Sequence, residues 1–211
     1  MKTILLIGLG RFGRHIAQKL NELDHQVMAI DKNENRVEAA LSYVATKKDF
    51  LSTVGVGNFD VCIVAIGDNF QSSLETTLLL KELGAQKVVS RAARDVHAKF
   101  LLRNGADKII YPDRDIAEKC AVQYSSDNVF DYFELSEDFS IYELAPLPEW
   151  IGNTIVQMDI RNKYHTNIVA IQTKDGIQAM PPADYRFKED EHLLVIGKNE
   201  DIQKLVRKYN N

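Results

Sequence analysis

The sequence predicts an α/β protein: an N-terminal Rossmann-like parallel sheet with helices on both faces, followed by a small C-terminal α+β domain. Three observations predict it. The apolar run Ile4-Leu5-Leu6-Ile7 leads directly into Gly8-Leu9-Gly10-Arg11-Phe12-Gly13, and Asp31 arrives 18 residues after the last of these glycines. Apolar strand-like segments then alternate with amphipathic helix-like segments to about residue 125. Past that point the pattern changes to strands joined by turns.

The elements follow in order. Strands are expected over 3–8, 26–31, 60–66, 87–91 and 108–111, each short and dominated by apolar or β-branched residues. Ile16, Leu20 and Leu23 share one face of the first helix, and Val37, Leu41 and Val44 one face of a second. Leu74 with Leu78-Leu79-Leu80 marks a more buried helix ending near Gly84, and Val96, Phe100 and Leu101 mark another ending at Gly105. Apolar strands with helical crossovers imply a parallel sheet covered on both faces. A helix over about 115–125 follows Tyr111-Pro112-Asp113, and 126–138 reads as a crossover carrying Val129, Phe130, Tyr132, Phe133 and Leu135. A strand near 139–145, a short helix near 152–162 and a strand at 166–173 come next. Lys174-Asp175-Gly176 makes a hairpin turn into a strand at 177–180, and a strand at 192–197 and a helix at 199–209 end the chain.

Composition removes several function classes. The chain has 211 residues, enough for one large or two small cores, and a net charge of −4. That balance gives bulk electrostatics no reason to favour nucleic acid. The acidity is uneven: from Val129 onward there are 14 acidic and nine basic residues, so the first part is close to neutral and does not repel a polyphosphate. Cys62 and Cys120 lack metal-ligand spacing and read as buried structural thiols in a reducing compartment. The first strand begins almost at Met1, so a signal peptide is not expected. No apolar run approaches the ~20 residues of a membrane span.

The glycine segment has a chemistry of its own. Gly8 suits the tight turn after the strand, Gly10 lets backbone approach a pyrophosphate, and Gly13 lets the helix pack closely on the strand. The helix start offers unpaired N–H groups to anionic oxygens, and Asp31 suits both ribose hydroxyls. Arg11, Arg14 at the helix start, Arg91 ending the fourth strand and Asp113 after the fifth all fall near the carboxyl ends of strands, where open sheets bind ligands. Asp113 is either a cap for the following helix or a metal ligand; Asp68 reads as a cap for the helix over about 70–83. The five histidines, His15, His25, His97, His165 and His192, form no recognisable acid–base pair, so no catalytic residue is assigned. A nucleotide is then a ligand rather than a reactant. An NAD(H)-binding redox enzyme or sensor is the alternative that the glycine fingerprint also permits.

The chain resembles the KTN/RCK regulators of potassium transport, particularly the Ktr/Trk-type cytosolic subunits. The likeness is carried by Ile7-Gly-Leu-Gly-Arg-Phe-Gly13, Val64-Ala-Ile-Gly-Asp-Asn-Phe-Gln71, Thr77-Leu-Leu-Leu-Lys-Glu-Leu-Gly84 and Gly105-Ala-Asp-Lys-Ile-Ile-Tyr-Pro112. Asp159-Ile-Arg-Asn-Lys-Tyr164 and Asn167-Ile-Val-Ala-Ile171 extend it into the second domain. The resemblance implies an RCK-N domain over 1–125, a linker over 126–136 and an RCK-C (TrkA-C-like) domain over 137–211. It implies a non-enzymatic, cytoplasmic subunit that forms homodimers and an octameric ring on the inner face of the membrane, beneath a potassium-conducting membrane subunit. It implies ATP or ADP as the ligand, held by Gly8, Gly10, Arg11, Phe12, Gly13, Asp31, Lys32, Ile66, Gly67, Asn69 and Arg91. Arg11 is expected to reach phosphates, including across the dimer. Asp113 stands where relatives usually carry a glutamate that helps hold a divalent cation. Arg161, Asn167 and Ile168 match a cyclic di-AMP pocket of some Firmicute members. One departure is notable: Ser42–Phe50 is shorter than the strand and adenine-bordering loop of the family, with Asp49 the residue nearest that role.

Overall fold

The computed structural model describes residues 1–33, 35 and 55–210. The helix expected over 37–44, the shortened segment 42–50 and Asp49 lie outside the described residues. The chain divides into two compact units, Met1–Arg114 and Asp115–Asn211.

The first unit is a parallel five-stranded sheet. Its strands are β1 (Thr3–Ile7), β2 (Gln26–Ile30), β3 (Val61–Val64), β4 (Val88–Arg91) and β5 (Lys108–Ile110), in the order β2-β1-β3-β4-β5. The sequence reading of a doubly wound sheet is correct, for a physical reason visible in β1. Alternate residues of a strand face opposite sides, yet Leu5 and Leu6 are both fully buried. Leu5 and Ile7 join a core with Ile30, Val64, Leu80 and Val88. Leu6 joins a second core with Leu9, Ala29 and Ala65, against which Phe12 and Ile16 pack. Burying each such leucine contributes about 1.5–3 kcal/mol, so neither face of β1 tolerates exposure. Register brings Ile7 opposite both Ile30 and Val64, which places the ends of β1, β2 and β3 side by side.

The helices of this unit include α1 (Arg11–Glu22), α2 (Phe70–Glu82) and α3 (Asp95–Arg103). Helix α2 is tied down by polar groups as well as leucines. The Thr77 hydroxyl donates to the Ser73 carbonyl at 2.8 Å, leaving the Ser90 hydroxyl on β4 to donate to Thr77 at 2.8 Å. At the other end of α2, Asp107 accepts from the Lys81 ammonium at 2.9 Å and from the Val88 N–H at 2.6 Å. Burial raises the Asp107 carboxyl, but these donors outweigh it and hold the group below its ordinary pKa.

The chain passes from the first unit to the second within α4 (Pro112–Gln123), whose first three residues belong to the first. This helix starts earlier than the sequence suggested, because Pro112 suits a first helical position that needs no N–H. The antiparallel sheet of the second unit contains β6 (Val129–Glu134), β7 (Phe139–Leu144), β8 (Thr166–Thr173), β9 (Gly176–Ala179) and β10 (His192–Lys198), ordered β6-β7-β10-β8-β9. The stretch read as a crossover therefore contains an edge strand: Tyr132 pairs with Tyr142 and Phe133 with Ile141. The single helix expected near 152–162 is two, α5 (Ile155–Met158) and α6 (Ile160–Tyr164), because Asp159 takes a left-handed conformation with φ of 49°. Thr154 and Gln157 form a reciprocal capping box at the start of α5. Trp150, Phe187, Leu144 and Leu193, with Ile202 and Leu205 of α7 (Asn199–Arg207), form the core of this unit.

Candidate functional site

A cleft of about 880 Å³ lies at the carboxyl ends of β1, β3 and β4, within the first unit. The chain runs to opposite sides of β1 as it enters β2 and β3, and such switch points are where open α/β sheets bind ligands. The volume falls in the range of small-molecule sites.

The glycine turn forms one wall. Gly8 has φ of +103°, which strongly favours glycine, and its N–H donates to the Ile30 carbonyl at 2.7 Å. Gly10 is the residue before α1 and has no side-chain cap; a Cβ built on it would meet nothing within 4 Å. The turn thus leaves open space in front of the unpaired N–H groups of a helix start, the arrangement that accepts phosphate oxygens. Gly13 does not line the cleft. It lies beneath the turn, where a Cβ would stand 1.9 Å from the Gly8 carbonyl oxygen.

Asp31 forms the opposite wall, buried just beyond β2. Its Oδ2 accepts from the Leu9 N–H at 2.6 Å and its Oδ1 from the Asn33 N–H at 2.9 Å. The carboxylate is therefore oriented by backbone donors on two sides, and Lys32 lines the cleft beside it.

The third wall comes from β3, β4 and α2. Ile66 and Gly67 line it after β3, and Arg91 enters from the end of β4. The Arg91 guanidinium lies 5.3 Å from the centre of the Phe12 ring and 3.5 Å from Asp113 Oδ2. Asn69, not Asp68, caps α2: its side-chain oxygen accepts from the Ser72 N–H at 3.0 Å. Asp68 lines the cleft instead. Asp113 is not a helix cap either, since it falls in the first turn of α4, facing Arg91.

Of the residues the sequence assigned here, the cleft gathers Gly8, Gly10, Arg11, Phe12, Asp31, Lys32, Ile66, Gly67, Asn69, Arg91 and Asp113, while Gly13 and Arg14 fall outside its lining. Sequence reasoning missed Ser72, Glu75, Thr76 and Leu79, which line one side. Their spacing of three, four and seven residues is one helix face, so the periodicity contained the signal. Among the described residues no group of three His, Cys, Asp or Glu side chains is placed to hold a metal ion.

Elsewhere one thiol matches expectation and one does not: Cys62 is buried, and burial pushes it up to about 11, but Cys120 is exposed. In the second unit the Arg161 Nε donates to Asn167 Oδ1 at 2.8 Å, across α6 and β8, and Ile168 packs against the core. His192 does have an acidic partner, contrary to the sequence reading. Its Nδ1 lies 2.6 Å from Glu143 Oε1 and its ring stacks on Phe130 at 3.6 Å.

A Rossmann-like unit with an open helix start at its glycine turn, followed by a small antiparallel unit, is the two-domain architecture of the TrkA-N/TrkA-C class. The TrkA-N domain family matches residues 4–112 and the TrkA-C domain family residues 139–210. The chain belongs to this family and, within it, to the Ktr potassium uptake proteins. It is 40% identical to Ktr system potassium uptake protein C of Bacillus subtilis strain 168, over 98% of this chain and 97% of that protein. It is 38% identical to protein A of the same system and strain, over 96% of this chain and 95% of that protein. Among solved structures, the GsuK channel superposes with a TM-score of 0.56 at 23% identity, over 99% of this chain and 38% of that one. The GsuK channel bound to NAD gives a TM-score of 0.54 at 22% identity, over 99% of this chain and 38% of that one. These superpositions support the fold. No described helix is long and apolar enough to cross a membrane.

Proposed function

We propose that this protein is a cytosolic nucleotide-sensing regulatory subunit of a Ktr/Trk-type potassium transporter, with ATP and ADP as its ligands. The observation that carries the reading is the pairing, in one cleft, of an open helix-start cradle at Gly10 with the backbone-oriented Asp31 carboxylate. The cradle and Arg11 suit phosphates, Asp31 suits ribose hydroxyls, and Arg91 supplies a second cation. Together in one cleft, these groups suit the parts of a nucleoside polyphosphate. A divalent cation bound with the nucleotide would draw its ligands from the phosphates and water, in the manner of nucleotide-bound Mg²⁺. The nucleotide is a ligand in this reading, and no residue is assigned to catalysis.

Homodimers assembled as an octameric ring beneath the membrane-embedded potassium-conducting subunit would transmit the signal. Bound nucleotide shifts the ring only through a difference in affinity between its states. A third phosphate reached by Arg11 of a neighbouring subunit supplies that difference. The family relationship to the Ktr uptake proteins of Bacillus subtilis supports the potassium assignment. In the second unit, the hydrogen-bonded Arg161–Asn167 pair offers a cation and an amide, while Ile168, the next residue of β8, packs against the core. That set suits the phosphate and base of cyclic di-AMP, proposed here as a second ligand.

A thermal-shift and calorimetric screen with ATP, ADP, NAD, NADH and cyclic di-AMP tests the proposal. ATP and ADP should each stabilise the protein and differ in their effect on its assembly. Tight NADH binding with indifference to ATP and ADP, together with turnover of a carbonyl substrate, would replace it with the redox reading.

A further inference from the structure

We propose that Asp113 is an internal competitor for ligand phosphate at Arg91, and that Phe12 and Gly67 hold the guanidinium where that exchange takes place. The inference rests on the nucleotide reading above and adds how the cleft discriminates among ligands.

Arg91 is held on several sides. The Phe12 ring lies 5.3 Å away, a cation–π distance. On another side the guanidinium presses against Gly67 so closely that a Cβ there would stand 2.6 Å from Nη1 and 3.0 Å from Cζ. Arg91 Nε is buried and has no hydrogen-bond partner among the described residues. A guanidinium carries five N–H donors in a rigid fork, and a buried donor left unpaired is costly. Arg91 is therefore positioned in advance but under-satisfied.

Its anionic neighbour is poorly placed to satisfy it. Asp113 Oδ2 stands 3.5 Å from Nη2, and the Asp113 side chain is 72% exposed while that of Arg91 is 22% exposed. At this distance the contact is a long-range ion pair rather than a short charge-assisted hydrogen bond. Such a solvated carboxylate can turn away into water at small cost. A phosphate oxygen entering the cleft offers the fork shorter contacts, so it displaces Asp113. A ligand without phosphate has nothing to exchange and leaves the pair intact. The carboxylate thus sets an affinity threshold that depends on phosphate, a role different from holding a cation.

Calorimetric titration with ATP, ADP and adenosine, in EDTA and separately in Mg²⁺, tests this. In EDTA, Asp113→Asn should tighten ATP and ADP about three- to tenfold and leave adenosine within twofold. Asp113→Glu, which keeps the charge, should show no such gain. In an Arg91→Ala background, Asp113→Asn should change ATP affinity less than twofold, because the coupling partner is gone. Gly67→Ala, which displaces the guanidinium, should weaken ATP and ADP and spare adenosine. If the wild-type protein binds ATP and ADP but Asp113→Asn in EDTA is unchanged or weaker, the competitor role is wrong and the nucleotide reading survives. A loss confined to Mg²⁺ buffer makes Asp113 a cation ligand instead. If the wild-type protein binds neither nucleotide, the reading beneath the inference falls with it.

Discussion

Asp31 Oδ2 accepts a hydrogen bond from the Leu9 N–H at 2.6 Å, which ties the glycine turn after β1 to the end of β2. The residue proposed to read ribose therefore also shapes the loop proposed to hold phosphate. Asp31→Asn weakens the bond to Leu9 and turns an amide N–H₂ toward one of two backbone donors. ATP and ADP affinities should fall together, by about 10- to 100-fold, the loss of hydrogen bonds to a charged group. Calorimetry against both ligands checks this, and an unequal loss would separate Asp31 from the shared ribose.

Arg11 stands beside the open space at Gly10, among the residues lining the cleft. Arg11→Ala should weaken ATP about tenfold more than ADP, since the contact proposed is to the last phosphate. Equal weakening in side-by-side titrations would remove Arg11 from that role.

Gly13 is a packing requirement. A Cβ there would stand 1.9 Å from the Gly8 carbonyl oxygen and 3.3 Å from the Ala65 Cβ. Gly8 cannot recede easily, because its N–H is bonded to Ile30. Gly13→Ala should destabilise the first unit by about 2–3 kcal/mol in urea unfolding. Gly10→Ala, with open space around its Cβ, should cost far less while still impairing nucleotide binding.

Asp107 gives a pH signature. Its pKa is lowered in the folded protein, against the upward pull of burial, by the Lys81 ammonium and the Val88 N–H. A depressed carboxyl contributes stability above its unfolded pKa, and that contribution is lost as pH falls through the folded value. Because the side chain is 40% exposed, screening limits the expected cost of Asp107→Asn to about 1 kcal/mol at pH 7. The gap to wild type should hold down to about pH 4 and close below it. Denaturant unfolding at several pH values measures the gap; one that persists unchanged at acid pH would assign the effect to shape rather than charge.

Much of this is legible in the sequence. The strand Thr3–Ile7, the turn through Gly13 and Asp31 are adjacent in the chain or separated by one helix, so their local signals add. The leucine-rich run from Leu74 to Leu80 likewise announced α2, although Leu78 is exposed and the buried face runs through Ser73, Thr77 and Leu80. The edge strand β6 was less legible because Val-Phe-Asp-Tyr-Phe-Glu alternates only partly, and its partner lies across the turn at 135–138. Asn69 and Asp68 are both acceptable caps by residue type; backbone geometry at one of them decided.

Residue order alone specified the doubly wound sheet, the succession of the two domains and most of the residues that line one cleft. Those depend on burial and on backbone freedom, which short-range patterns encode. Only the folded chain shows that Arg91 lies against Phe12 and faces Asp113, and that His192 meets Glu143. Such pairs come from elements far apart in the chain, and strand register and helix placement bring them together.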